Sequence, residues 1–221
     1  MPSHGPLPPA RSPVLLAGAL LAALSAVLLT LVALDWGPLL ALDGRIADGL
    51  HRVAVEAPGA TRANRLLSDW VWDPWAMRAV VAGVFVWLLR HGERVLALWL
   101  AGTSLVAACV QQLLKFVVGR ERPQWPDPVD SAHYAAFPSG HAMTAAVTFG
   151  LLLWLLRLYG AGRGTRAWLL TAGVVSVVGV GFTRVFLGVH WLTDVLAGWL
   201  MGAALVLFSV ALHAYRTAPR A

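Results

Sequence analysis

Residues 14–34 carry no charged side chain. At 1.5 Å per residue, roughly 20 residues of helix cross the ~30 Å hydrocarbon layer of a bilayer, so a run of this length constrains the fold more than any other feature. Five further apolar runs follow, at about 75–89, 95–114, 141–156, 167–182 and 189–212. Inside a bilayer the backbone must satisfy its own hydrogen bonds, which these lengths achieve only as helices. The chain is therefore predicted to be all-α, a polytopic membrane bundle of six transmembrane helices. Its 58% hydrophobic content, 13% charged content and mean hydropathy of +0.69 agree and argue against a soluble globule. The first run exceeds the apolar core of a secretory signal, so it reads as an uncleaved span. A net charge of +6 does not point to nucleic acid, because the arginines are scattered between apolar runs instead of forming one basic patch.

The connections add detail. Residues 1–13, rich in proline and small side chains, read as a disordered tail. The domain proper covers 14–213, and 214–221 is a short basic tail. The longest connection, 35–76, places Leu39, Leu40, Leu42, Ile46, Leu50 and Val53 at helical spacing, which predicts a short interfacial helix in the first outer loop. Trp70, Trp72 and Trp75 suit a membrane-interface belt, and Arg78 can snorkel outward. Ser104, Gln111 and Gln112 are expected to bond to neighbouring helices, and Gly198 with Gly202 to form a close packing face. Cys109, the single cysteine, is assigned to packing; it permits no intrachain disulfide and no Cys-rich zinc cage. With six spans both termini share a side. If that side is cytoplasmic, the inner segments hold Arg11, Arg90, Arg94, Arg157, Arg163, Arg166, Arg216 and Arg220 against Glu93, while the other ten of the eleven acids lie outside. The positive-inside rule favours that arrangement. It brings the ends of spans three and five and the start of span four to one outer face.

That face holds the polar chemistry. In Phe137-Pro138-Ser139-Gly140-His141, proline disfavours helix before it, Ser139 can cap the helix that follows, and Gly140 lets an anion approach bared N–H groups, with His141 beside it. Alone this is an ordinary helix start. Lys115, Arg122 and Arg184 add three cations at the same membrane face, a costly arrangement unless an anion such as phosphate sits among them. His190 and Asp194 are four residues apart, within mutual reach if helical. A carboxylate on one ring nitrogen leaves the other free to attack, although a structural His–Asp pair has the same spacing.

Taken together, Lys115-x6-Arg122-Pro123, then Pro138-Ser139-Gly140-His141, then Arg184-x5-His190-x3-Asp194 resembles the three-part signature of the type 2 phosphatidic acid phosphatase family, which shares its pocket with vanadium-dependent haloperoxidases. One position departs: Thr183 stands where the family pattern usually has serine. The resemblance implies a lipid phosphate phosphatase that uses no cofactor and no metal. In it His190 would be the nucleophile, Asp194 its orienting group and His141 the general acid. Lys115, Arg122, Ser139, Gly140 and Arg184 would bind the phosphoryl oxygens. The implied partners are the lipid bilayer and a phosphorylated membrane lipid of polyprenyl diphosphate, phosphatidic acid or phosphatidylglycerophosphate type, with no nucleic acid and no motif for an oligomeric state. The implied location is the bacterial plasma membrane, with the site outside. The alternative is a non-catalytic binder or transporter of the same lipids.

Overall fold

The structure, a computed structural model, describes residues 11–217. In chain order it contains α1 (Arg11–Ala33), α2 (Gly37–Glu56), α3 (Pro58–Leu66), a π-helical turn (Leu67–Val71), α4 (Pro74–Arg90), α5 (Arg94–Val118), α6 (Gly140–Leu158), α7 (Arg163–Phe186) and α8 (Leu192–Arg216). Six of its helical stretches are long and apolar enough to cross a membrane, the second running from Pro58 to Arg90. The all-α six-span reading holds, and the protein is an integral membrane protein. Residues 1–10 of the expected first tail lie outside the described residues, and α1 already begins at Arg11, where Pro13 falls in the first turn that tolerates it. At the other end α8 runs on to Arg216, and residues 218–221 of the expected basic tail lie outside the described residues.

The centre of the bundle is the contact between α6 and α8. A Cβ added at Gly198 would stand 2.7 Å from the Ser139 carbonyl oxygen, and one at Gly202 would stand 2.9 Å from Ala146 Cβ, so the expected small-residue face lets the α8 backbone approach α6 closely. Leu88, Leu100, Phe137, Met143, Leu151 and Met201 fill the space between α4, α5, α6 and α8. The outward faces are apolar too: Leu98, Leu105, Leu113 and Phe116 on α5 are exposed, as are Trp168 and Val175 on α7. Hydrocarbon solvates such residues, so apolarity alone does not hold these helices together.

Polar bonds contribute instead, though not those expected. Trp99 Nε1 donates to Ser209 Oγ (2.8 Å), and Thr103 Oγ1 shares a hydrogen bond with the same oxygen (2.6 Å), tying α5 to α8. Ser104 Oγ is buried without a partner, and neither Gln111 nor Gln112 makes a side-chain hydrogen bond among the described residues. Cys109 does not pack internally. It is exposed on the outer face of α5, where lipid accommodates a small apolar thiol.

Residues 35–76 are almost entirely helical, so this connection contains more than the one short helix expected, and from Pro58 on it belongs to the second candidate span. The buried face of α2 carries Asp43, Ala47, His51 and Ala54. Its Ile46 and Leu50 pack on the buried cluster of Ala142, Val185 and Val195, which seats α2 over the ends of α7 and α8. Trp70 and Trp75 are exposed as a belt requires, but Trp72 packs inward against Met77 and Val180. Several span ends also shift: the second candidate span starts at Pro58 and not near 75, and α5 runs past 114 to Val118. α7 continues past 182 to Phe186, and α8 starts at Leu192 because a turn through Gly188 (φ +69°) precedes it. His190 therefore lies outside the helix.

Candidate active site

Asp194 occupies the third position of α8, where an acidic side chain can reach back to the helix start. Its Oδ2 accepts the Trp191 N–H at 2.9 Å and stands 3.2 Å from His190 Nδ1. The expected pair thus forms through capping geometry, with His190 in the turn. The opposite ring nitrogen, Nε2, lies 3.2 Å from Arg122 Nη1. A guanidinium can only donate, so Nε2 is the acceptor and Nδ1 carries the proton that goes to Asp194. His190 is 2% exposed. Burial pushes its imidazole well below the usual histidine range, and Arg122, Arg184 and Lys115 act in the same direction. At neutral pH the ring is uncharged and Nε2 keeps its lone pair.

Arg122 also donates to the carbonyls of Tyr134 (2.9 Å), His133 (3.1 Å) and Val189. Burial and the nearby Arg184 lower it to about 10, leaving it charged at neutral pH. Lys115 Nζ donates to the Ala135 carbonyl. Arg184 is buried, gives Nη1 to Ser68 Oγ (2.7 Å), stands 3.9 Å from Asp69 and leaves Nε without a partner. The hydroxyl of Thr183 donates to the Val180 carbonyl in its own helix (2.9 Å).

Ser139 is the residue before α6, after a cis Phe137–Pro138 bond, yet its hydroxyl forms no cap: Oγ is buried and has no partner among the described residues. Its N–H donates instead to the Asp194 carbonyl (2.9 Å), locking the start of α6 to the start of α8. Gly140 is approached by a protein side chain, since a Cβ there would stand 2.7 Å from Gln111 Nε2. His141 lies within electrostatic reach of Arg184, His190, Arg122 and Lys115. The three sequence segments thus meet at one place.

Sequence reasoning missed a buried network behind the histidine. Arg120 Nη1 donates to Asp194 Oδ1 (2.6 Å) and Thr193 Oγ1 (2.7 Å), while Nη2 donates to Asp43 Oδ2 (2.8 Å). Asp43, 1% exposed, also accepts the Thr193 N–H (3.0 Å) and hydroxyl. A signal did exist, because Asp43 sits in the same helical stripe as Leu39, Ile46 and Leu50, where a buried acid requires a partner. Ser68, the partner of Arg184, has no comparable signature. Among the described residues no three His, Cys, Asp or Glu side chains are grouped to hold a metal ion.

A neutral imidazole with one nitrogen fixed and the other aimed among cations is suited to attack an anionic, tetrahedral centre. Comparison with known proteins agrees in kind. Residues 96–218 match the family model described as PAP2 superfamily. Phosphatidylglycerophosphatase B of Bacillus subtilis (strain 168) is 33% identical over 126 residues, covering 56% of this chain and 59% of that protein. Undecaprenyl-diphosphatase of Sulfolobus acidocaldarius is 30% identical over 132 residues, covering 56% and 58%. The chain thus spans under two thirds of the length of these relatives. A crystal structure described as the first transmembrane PAP2 type phosphatidylglycerolphosphate phosphatase from Bacillus subtilis superposes with a TM-score of 0.78 at 20% identity, over 91% of this chain and 97% of that one, and shares the fold.

Proposed function

The chain belongs to the PAP2 superfamily, and from that premise we propose that it is a membrane phosphatase that hydrolyses a phosphorylated lipid through a phosphohistidine at His190. The observation that carries this reading is the orientation of one ring: Nδ1 on Asp194 and Nε2 turned to the guanidinium of Arg122. The named activities of the relatives, phosphatidylglycerophosphatase and undecaprenyl-diphosphatase, support the lipid phosphate class.

In the first step a lipid phosphoryl group draws Arg122 off Nε2 and lies between it, Lys115 and Arg184, with the Ser139 hydroxyl and the Gly140 N–H on its remaining oxygens. The Nε2–phosphorus bond forms as the bond to the lipid oxygen breaks, and His141 gives that oxygen a proton. In the second step water attacks phosphorus, His141 takes the proton, and inorganic phosphate leaves His190. Asp194 stabilises the positive charge that the ring acquires while phosphorylated. The cations meet negative charge on the transferred group in a site of little water, where such stabilisation is strongest. No step uses a metal. The positive-inside distribution supports cytoplasmic termini and an extracytoplasmic site in a bacterial plasma membrane. The substrate class is a polyprenyl diphosphate, phosphatidic acid or phosphatidylglycerophosphate type of lipid.

The test is phosphate release from such lipids by purified protein in detergent with excess EDTA. Turnover should persist under chelation and fall at least roughly a thousandfold in His190→Ala. Because burial holds His190 below the ordinary value of 6.5, its protonation should not lower kcat/KM between pH 7 and 6. Loss of activity on chelation that metal restores, or unchanged turnover in His190→Ala, would overturn the mechanism.

A further inference from the structure

Arg184 comes from the last turn of α7, yet the residue that holds its guanidinium lies 116 positions away along the chain. Nη1 donates to Ser68 Oγ at 2.7 Å and stands 3.9 Å from Asp69 Oδ1. Nε is buried without a partner, and Nη2 makes no hydrogen bond among the described residues. The Nε–H and one Nη2–H form a single edge of the planar group, the pair of parallel donors that can grip two oxygens of one phosphoryl group. Buried donors almost always have acceptors, so a free pair on a 4% exposed arginine calls for one. His141 and His190 both lie within electrostatic reach of Arg184, which places its guanidinium at the site.

Ser68 is 0% exposed and is an apt acceptor. A hydroxyl oxygen fixes Nη1 without cancelling the positive charge, whereas a carboxylate in its place would neutralise the guanidinium and compete with an incoming anion. Asp69, next in the chain, has a side chain half exposed to solvent, where its pull is screened. Ser68 is carried by the π-helical turn Leu67–Val71, and Trp72 directly after that turn seats it on α7. A Cβ added at Gly179 would stand 2.2 Å from the Trp72 ring, which also packs on Val180, little more than one helical turn before Arg184.

We propose that Ser68 is a positioning residue of the site: by taking Nη1 of Arg184 it turns the Nε–Nη2 edge toward the phosphoryl group, so that Arg184 binds two oxygens at once. The proposal rests on the phosphatase reading above and adds a residue from outside its three sequence segments. Without the Ser68 oxygen Arg184 keeps its charge, but its fork is free to rotate and the paired grip is lost.

Orthovanadate, a tetrahedral oxyanion with the shape of phosphate, reads the pocket without turnover by titration calorimetry on the full chain in non-ionic detergent. Ser68→Ala should weaken vanadate binding about tenfold and lower kcat/KM on a lipid phosphate to match, the scale of one hydrogen bond to a charged group. Ser68→Thr, which keeps the oxygen, should recover most of both. The deciding arm is Arg184→Lys, in which a point charge replaces the fork. There Ser68→Ala should change vanadate affinity less than about twofold, because no edge is left to orient. If that background binds vanadate too weakly for calorimetry, kcat/KM carries the same comparison. Should Ser68→Ala fail to fold, Ser68→Cys, close in size and a weak acceptor, takes its place with the same expected losses. Equal losses in both backgrounds would show that Ser68 acts without Arg184 and would overturn the proposal. So would unchanged vanadate binding in Ser68→Ala, or none in the wild-type protein at millimolar vanadate. Vanadate that binds while no lipid phosphate is hydrolysed would sink the phosphatase reading alone.

Discussion

At the scale of single residues, the least expected finding is how Asp194 is held. Oδ2 serves the helix start and His190, and Oδ1 serves Arg120, which Asp43 holds from the far side. Two buried carboxylates share one guanidinium, so each constrains the position of the other. Asp43→Asn should therefore lower kcat roughly 10- to 100-fold, the usual effect of disturbing a partner one step behind a reacting group, with KM changed less than about twofold. Steady-state kinetics on a lipid phosphate would measure the split, and Asp43→Glu should recover part of the loss. An equal effect on KM, or none on either constant, would make the network purely structural. The residues that the motif named were legible because their types carry chemistry and their spacing survives in sequence. For Asp43 the helical stripe of α2 marks a buried acid without naming its partner, and Ser68 carries no mark at all, because both reach the site through the tertiary seating of residues 35–76.

At the scale of elements, helix identity was readable and helix ends were not. Apolar length fixes a span, but its ends depend on turn chemistry: Gly188 at φ +69° delays α8 until Leu192, and Gly119 at φ +59° closes α5 and turns the chain toward Arg120. In sequence, connection 35–76 shows one short helix only, because the buried face of α2 is narrow and mixed, with Asp43 and His51 among alanines. The packing of α6 on α8 sets the site most directly, since Gly198 presses on the Ser139 carbonyl while Ser139 donates to Asp194. Gly198→Ala would place a methyl 2.7 Å from that oxygen and 3.1 Å from Met143 N, both backbone atoms that cannot step aside separately. The expected cost is about 1–3 kcal/mol, with a lower unfolding temperature in detergent and reduced kcat. Gly102→Ala on the open side of α5, where nothing lies within 4 Å, serves as the control and should leave both unchanged or slightly raise stability. If Gly198→Ala behaved like Gly102→Ala, the close helix contact would not be what positions Ser139.

At the scale of the whole molecule, a six-span bundle with lipid-facing apolar surfaces gathers Lys115, Arg122, Ser139, His141, Arg184 and His190 at one membrane face, roofed by α2. The cations come from α5, the following connection and α7, so no single segment assembles the site, and a phosphoryl group among them would offset the repulsion that Asp69 and Asp194 leave. Phosphoryl transfer to His190 is the central claim, and a rapid-quench experiment with a lipid carrying ³²P in its terminal phosphate tests it most directly. The account predicts an acid-labile, base-stable label that appears within one turnover, maps to His190 and is absent from His190→Ala. Release of labelled phosphate with no protein-bound label at any time, or label on another residue, would contradict it.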